Sequence, residues 1–322
     1  MTRTWGCDVS AWQLPETTTM RLDDAVSHGL GFVIIKASMG GGVDTMYLRH
    51  LEALQRYPGL IVGIYHWADP TAGIDQQVAR FGLLADDPRV DFIVCDNEQW
   101  WSNWGAYHQA IANQIPWSAV PRYNNTTLDN FYRTTMARIR TRVPGKLLFN
   151  YTSSGFISTY SPAMSTWINQ YPLWVASWPP YSDKVNDTWA NFQQFMDTLD
   201  TPSMPVGANT WRIWQFANNN LILPGFTRGM DLNIYYSDYA RMTSDITDGF
   251  PPPSPPPPPS LQWYRVIAAW LNVRSGPGVA YPIVSFRKFG DRVCEYGRSP
   301  DGWVKISPTV EQWVSGNWLA KI

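Results

Sequence analysis

Charge is scarce in this chain. Of 322 residues only 16% are Asp, Glu, Lys or Arg, and the two signs nearly cancel to a formal net charge of −1. That balance excludes a global polycationic signature of nucleic-acid binding. Three cysteines, Cys7, Cys95 and Cys294, do not make a disulfide framework. The four histidines, His28, His50, His66 and His108, fall at no metal-ligand spacing, so a zinc amidase or peptidase is not expected, and neither is any metal or other cofactor. No apolar run reaches the length of a membrane span, so no membrane insertion is expected. The N-terminal stretch MTRTWGCDVS has no apolar h-region and already reads as a strand. No export signal is therefore expected, and a substrate outside the membrane would be reached after release or delivery from the cytoplasm.

Aromatic side chains, in contrast, are abundant at 15%, with 18 Trp. Two of the Trp close the stretch of residues 90–101, VDFIVCDNEQWW. A run of β-formers, Phe92 to Cys95, delivers Asp96 and Glu98 at i and i+2. Alternate side chains of a strand share a face, so both carboxyls should point the same way, their Cα atoms roughly 6.5–7 Å apart. Two like charges that close resist ionising together, and one pKa should rise. One protonated and one ionised carboxyl is what glycoside hydrolysis needs. Trp100 and Trp101 follow at once, and their flat faces suit sugar rings.

Taken in order, the chain alternates apolar strands with helical stripes. Strands are predicted at 5–12, 31–38, 60–67, 91–98, 147–153, 173–178, 212–216 and 230–236. Helices are predicted at about 19–28, 45–57, 74–85, 127–142, 161–170 and 188–199, with a long aromatic loop after the fourth strand. Eight strands at this spacing favour a closed α/β barrel over an open sheet, irregular after strand five because the last connection is too short for a full helix. Barrel enzymes place their chemistry at the C-terminal ends of strands, and Asp8, His66, Asp96, Glu98, Tyr151, Trp178, Gln215 and Asp231 fall there. Cys7 and Cys95 each precede an inward acid and should point outward, as small buried hydrophobes.

Residues 251–260, PPPSPPPPPS, read as a polyproline spacer of roughly 30 Å, within a linker at 249–261 that separates a barrel over 1–248 from a tail over 262–322. The tail shows short strands, turn signals at Gly276-Pro277-Gly278, Gly290-Asp291 and Asp301-Gly302, and no helical stripe, which is the pattern of a small β-barrel. Residues 261–322 hold 8 Lys and Arg against 4 Asp and Glu, a net of +4, whereas residues 1–250 hold 17 against 22, a net of −5. A basic module on a stiff tether suits docking to an anionic polymer.

The motifs DVSAWQ (8–13), FVIIKAS (32–38), GIYHW (63–67), the D-x-E of 96–98, NYTS (150–153), WVASW (174–178), WQF (214–216) and MDLN (230–233) stand in an order that resembles the family 25 glycoside hydrolases, which are lysozymes. The tail's LNVRSGPG (271–278), GDRV (290–293), GWVKI (302–306) and WVSGNWL (313–319) are similar to bacterial SH3-type cell-wall-binding domains. The resemblance implies an incomplete (β/α)5(β)3 TIM-like barrel plus a small SH3-like barrel, with bacterial peptidoglycan as the partner, its glycan strands in the barrel cleft and wall polymer or stem peptide on the SH3-like domain. It implies cleavage of the β-1,4 bond between N-acetylmuramic acid and N-acetylglucosamine by an endolysin-type monomer. Glu98 would be the general acid, Asp96 the second carboxylate, and Asp8 and Asp231 the rest of an acidic cluster. Tyr65, His66, Tyr151, Trp178 and Gln215 would line sugar subsites, with Trp100 beside them. Two positions depart from the family pattern: Asn97 replaces an apolar residue between the acids and, facing outward, needs a partner for its amide, and Met39 stands where Glu is frequent. Two other readings stay open at this point, a non-catalytic wall-binding barrel and a hydrolase of another N-acetylated polysaccharide such as chitin.

Overall fold

The computed structural model describes residues 3–13, 20–179, 188–218, 229–249, 262–299, 301–307 and 310–322. The chain divides into two compact units, Met1–Phe250 and Pro251–Ile322. The proline run expected as a stiff spacer lies outside the described residues.

The first unit is built on one sheet of nine strands: β1 (Trp5–Val9), β2 (Leu30–Met39), β3 (Gly42–Val43), β4 (Ile61–Trp67), β5 (Phe92–Asp96), β6 (Leu147–Ser153), β7 (Leu173–Ala176), β8 (Ile213–Ala217) and β9 (Asp231–Tyr235). β3 only folds back on the end of β2. The other eight close into a barrel, because β1 pairs with β2 on one side and with β9 on the other. Within those eight, every pairing other than β9's is parallel, and β9 runs antiparallel to both β8 and β1.

Alternation sorts the strand residues into two layers. Phe32, Ile34, Tyr65, Phe92, Val94, Phe149, Tyr151, Trp174, Ile213 and Tyr235 form the inner cluster. Val33, Ile35, Val62, Ile64, Ile93 and Val175 form the outer layer against the helices, and Cys7 and Cys95 lie there too, buried and unbridged. Asn97, in the same outward phase, satisfies its amide by donating to Asn150 Oδ1 at 2.8 Å.

Helices α1 (Asp23–Ser27), α2 (Tyr47–Leu54), α3 (Ile74–Ala85), α4 (Trp104–Ile111), α5 (Asn125–Arg142), α6 (Ser154–Tyr160), α7 (Trp189–Thr198) and α8 (Tyr239–Asp248) complete the unit. Three differ from the sequence expectation. The aromatic loop contains α4, whose start is capped by Asn103 accepting from the Ala106 N–H. The helix expected at 161–170 is two 3₁₀ turns, and α6 lies before it, started by the Ser153 hydroxyl accepting from the Phe156 N–H and followed by Pro162. The third, α8, was not foreseen. It puts Met242 into the inner cluster and Asp245 under the Tyr235 and Tyr236 hydroxyls, at 2.6 and 2.9 Å.

The second unit is all-β. Strands β10 (Trp263–Val266), β13 (Arg292–Cys294) and β17 (Leu319–Lys321) form one sheet. Strands β11 (Trp270–Arg274), β12 (Ile283–Lys288), β14 (Gly297–Arg298), β15 (Trp303–Lys305) and β16 (Trp313–Ser315) form another. Val266, Leu271, Val273, Val293, Val304 and Val314 make its core.

Glycine has a packing role at the centre of the barrel. A Cβ at Gly63 would lie 2.3 Å from the Phe92 ring, which itself packs 5.1 Å from Phe149. Gly63→Ala should therefore destabilise the barrel by about 1–3 kcal/mol, the usual cost of overpacking. Chemical denaturation monitored by tryptophan fluorescence would check this, and a wild-type midpoint would refute it.

Candidate active site

Asp96 is the last residue of β5, inward-facing and buried. The chain stays extended past it, since the Asn97 N–H donates to the Tyr151 carbonyl at 3.0 Å and the Asn97 carbonyl accepts from Thr152 Oγ1 at 3.1 Å. Glu98 follows two residues on, half-buried at the rim. Asp8, on β1, is buried and faces inward between Gln215 and Asn233, whose side-chain amides donate to its Oδ2 at 3.0 and 2.7 Å. Asp231 is the cross-strand partner of Asp8 and accepts from Gln13 Nε2 at 3.0 Å.

Asp231 reaches this rim by a different route from the one expected. It begins β9 and does not end it. Because β9 is inverted, its first residue lies at the rim where the parallel strands finish. The other partners are held in chains of hydrogen bonds. Tyr151 donates to Gln215 Oε1 at 3.0 Å, and Trp174 Nε1 donates to Asn233 Oδ1 at 2.8 Å. Tyr65 faces inward as well, edge-on to Trp174.

His66 does not join them. Next to inward Tyr65 on β4, it points the other way, into the layer under α3. Its ring lies on Phe81, Nδ1 is 2.9 Å from Ser38 Oγ, and Nε2 is 3.1 Å from Gln77 Oε1. Burial pushes its pKa down to about 4. The expectation that His66 lines a sugar subsite is thus corrected by strand alternation: it is a satisfied core histidine. Trp178 is 51% exposed and lies outside the cavity that contains Glu98.

Lys36 is the residue that sequence reasoning missed. It shares the inward phase of Phe32 and Ile34 on β2, and its ammonium lies over the rings of Trp67 and Tyr65, 4.8 and 5.8 Å from their centroids. Beyond it, Ala37 is an extra residue in the ladder, so Ser38 pairs with outward His66. The signal was present: a lysine inside a continuous apolar strand needs acids near it. Met39, where Glu is frequent in the family, is 39% exposed, with its sulfur 3.9 Å from Lys36 Nζ.

The electrostatics follow from this crowding. Burial raises Glu98 to about 7, with Lys36 opposing the rise and Asp231 adding to it. Burial and then Glu98 raise Asp96 well above the ordinary carboxylate range, again against Lys36. Burial and then Asp231 raise Asp8, opposed by the amides of Asn233 and Gln215. Asp96 Oδ1 is buried with no hydrogen-bond partner among the described residues. Among those residues no group of three His, Cys, Asp or Glu side chains is placed to hold a metal ion.

Glu98 opens into a cavity of about 910 Å³ walled by Trp67, Trp100, Trp101, Tyr107, Trp117 and Tyr160. Trp100 stacks on Tyr160, with centroids 5.0 Å apart and planes 6° from parallel. The family model for glycosyl hydrolases family 25 matches residues 7–225. The chain belongs to that family. Its members are lysozymes (muramidases), and this family 25 enzyme is accordingly a glycoside hydrolase. The match takes in Asp8, Asp96 and Glu98 and stops short of Asp231. This family 25 chain is 24% identical over 244 residues to lysozyme M1 of Streptomyces globisporus, covering 74% of this chain and 69% of that one. Its fold is shared with the bacterial lysozyme of Streptomyces coelicolor, at a TM-score of 0.55, 22% identity and coverage of 77% and 99%. It is also shared with the CTP1L endolysin, at a TM-score of 0.52, 20% identity and coverage of 77% and 70%.

The raised pKa of Glu98 has a thermodynamic consequence. Because its folded pKa of about 7 exceeds the ordinary 4.5, the folded state binds the proton more tightly. The carboxyl favours folding below the unfolded pKa, and that advantage is lost as pH rises through about 7. Glu98→Gln should therefore be more stable than wild type at pH 8, with the difference shrinking toward pH 4. Thermal melts across that range would show it, and a pH-independent difference would contradict the raised pKa.

Proposed function

We propose that the enzyme hydrolyses peptidoglycan at the β-1,4 bond between N-acetylmuramic acid and N-acetylglucosamine. The observation that carries this reading is Glu98, a half-buried carboxyl raised to about 7 beside buried Asp96, at the mouth of an aromatic cavity. In this reading protonated Glu98 is the general acid that protonates the departing glycosidic oxygen. Asp96 either accepts the N–H of the substrate's N-acetyl group, steering its carbonyl to the anomeric carbon, or attacks that carbon itself. A substrate N–H on Asp96 would supply the hydrogen bond that Oδ1 lacks and so favour its ionised form. Either route retains the anomeric configuration. Asp8 and Asp231 keep the rim electronegative beside the developing positive charge, while the aromatic walls stack on sugar rings.

Glu98→Gln should keep the fold and lose about 10²–10⁴-fold in kcat, the scale of general acid catalysis. Wild-type activity should fall as pH rises through about 7, as Glu98 loses its proton. Mass spectrometry of digested peptidoglycan should find muramic acid at the new reducing ends, first as the β-anomer by proton NMR. N-acetylglucosamine there, or preferential cleavage of chitin, would reject the bond assignment.

The second unit we read as an SH3-type wall-binding module on an endolysin-type, monomeric enzyme made in the cytoplasm. Its motifs, its net charge of +4 and its two small sheets around a valine core support the module, and the barrel shared with an endolysin supports the setting. Tethering raises the local concentration of the barrel at an insoluble substrate without adding catalytic contacts. Residues 1–250 alone should match the full chain on soluble fragments and lag on whole walls at low enzyme concentration. Equal lysis of walls at every concentration would leave the tail without a targeting role, and a dimer in sedimentation would overturn the monomer.

A further inference from the structure

Residues 99–128 contain one fixed charge, Arg122. The stretch leaves the rim directly after Glu98 and builds its own small core. Trp101, Ala110 and Val120 are buried in it, with Trp67, Trp100, Trp104 and Tyr107 packed around them. Asp69 ties the excursion down, accepting from Gln99 Nε2 at 2.9 Å and from Trp104 Nε1 at 3.1 Å. Within it Trp101 and Arg122 form an antiparallel bridge, closed by the Ser102 N–H on the Pro121 carbonyl and the Tyr123 N–H on the Trp100 carbonyl. The backbone that carries Arg122 is therefore held in place. Its side chain is exposed and lines the cavity shared by Glu98 and the aromatic walls. The guanidinium makes no hydrogen bond or ion pair with any described residue.

We propose that Arg122 is an anion subsite that binds a carboxylate carried by the muramic acid residue next to the scissile bond, and so sets the enzyme's preference for an acidic glycan over a neutral one. The inference rests on the peptidoglycan reading above and extends it to specificity. The site needs such a group. Asp8, Asp96, Glu98 and Asp231 crowd acids at one end of the cleft, with half-buried Lys36 as the counter-charge among them. That crowded cluster offers an anionic substrate group no free partner, so a cation elsewhere in the cleft is what would hold it. An arginine pairs with a carboxylate through two parallel N–H donors, which fixes orientation as well as charge. The carboxylate has two sources: the lactyl ether itself in peptide-free glycan, or the stem peptide that replaces it in the intact wall.

The test compares matched substrates. Peptide-free glycan with free lactyl carboxylates is set against the same glycan with those groups converted to carboxamides, and against glycan bearing the stem peptide. Wild type should prefer the free carboxylate over the carboxamide by roughly two- to fivefold in kcat/KM, the scale of a charge pair at an exposed site. The difference should lie in KM and shrink with added salt. In Arg122→Gln the preference should fall to about one, and Arg122→Lys should restore part of it. A preference that survives in Arg122→Gln, or a loss equal on all substrates with an altered melting temperature, overturns the proposal. If instead wild type cleaves none of these glycans, the peptidoglycan reading itself has failed. Peptide-bearing glycan distinguishes the sources: loss of its advantage in Arg122→Gln places the stem carboxylate on Arg122, and loss confined to peptide-free glycan places the lactyl group there.

Discussion

Closure of the sheet is the constraint on which the site depends. β1 must find a second neighbour, and the strand that supplies it, β9, arrives inverted. In that orientation the start of β9 lies at the rim where the parallel strands finish. Asp231 is thereby set opposite Asp8, and two residues along the same face Asn233 donates to Asp8 Oδ2 at 2.7 Å. A parallel strand in the same place would carry Asp231 to the opposite mouth of the barrel. That lower mouth is instead filled by Met242 of α8, so the interior is a packed core below and a polar cleft above.

The crowding of acids that closure produces is costly, and the surroundings offset it unevenly. Asp8 accepts from two side-chain amides and Asp231 accepts from Gln13, whereas Asp96 keeps an oxygen with no hydrogen-bond partner among the described residues. Lys36 supplies the compensating charge for Asp96 and Glu98 at a cost to its own pKa, which burial lowers. Incomplete compensation keeps Glu98 protonatable near neutrality, the condition a general acid requires.

The abundance of tryptophan has two structural outlets near the cleft. Some rings hold scaffold, as Trp174 does through Asn233 and Trp104 through Asp69. Others face the cavity, where Trp100 and Trp117 stand with Tyr160. The shortage of charge in the same region leaves Arg122 as the one fixed charge of residues 99–128, set among aromatic side chains at the cavity wall.

Much of this was legible from residues alone. Eight strand runs of period two or unbroken apolar character identify the barrel, and alternation along VDFIVCDNE by itself puts Asp96 inward and Cys95 outward. The same alternation, applied to GIYHW, would have separated Tyr65 from His66, because adjacent residues cannot share a face. It would also have placed Lys36 with Phe32 and Ile34. Local chemistry therefore determined which elements form and which face each residue takes. Tertiary structure alone decided the direction of β9, the bulge at Ala37 that turns Ser38 toward His66, and the fold of residues 99–123 into a wall beside Glu98. Each depends on pairing between residues far apart in the chain, set by barrel closure and by Asp69 reaching Gln99 and Trp104, and no local pattern encodes which distant partner a strand or loop will meet.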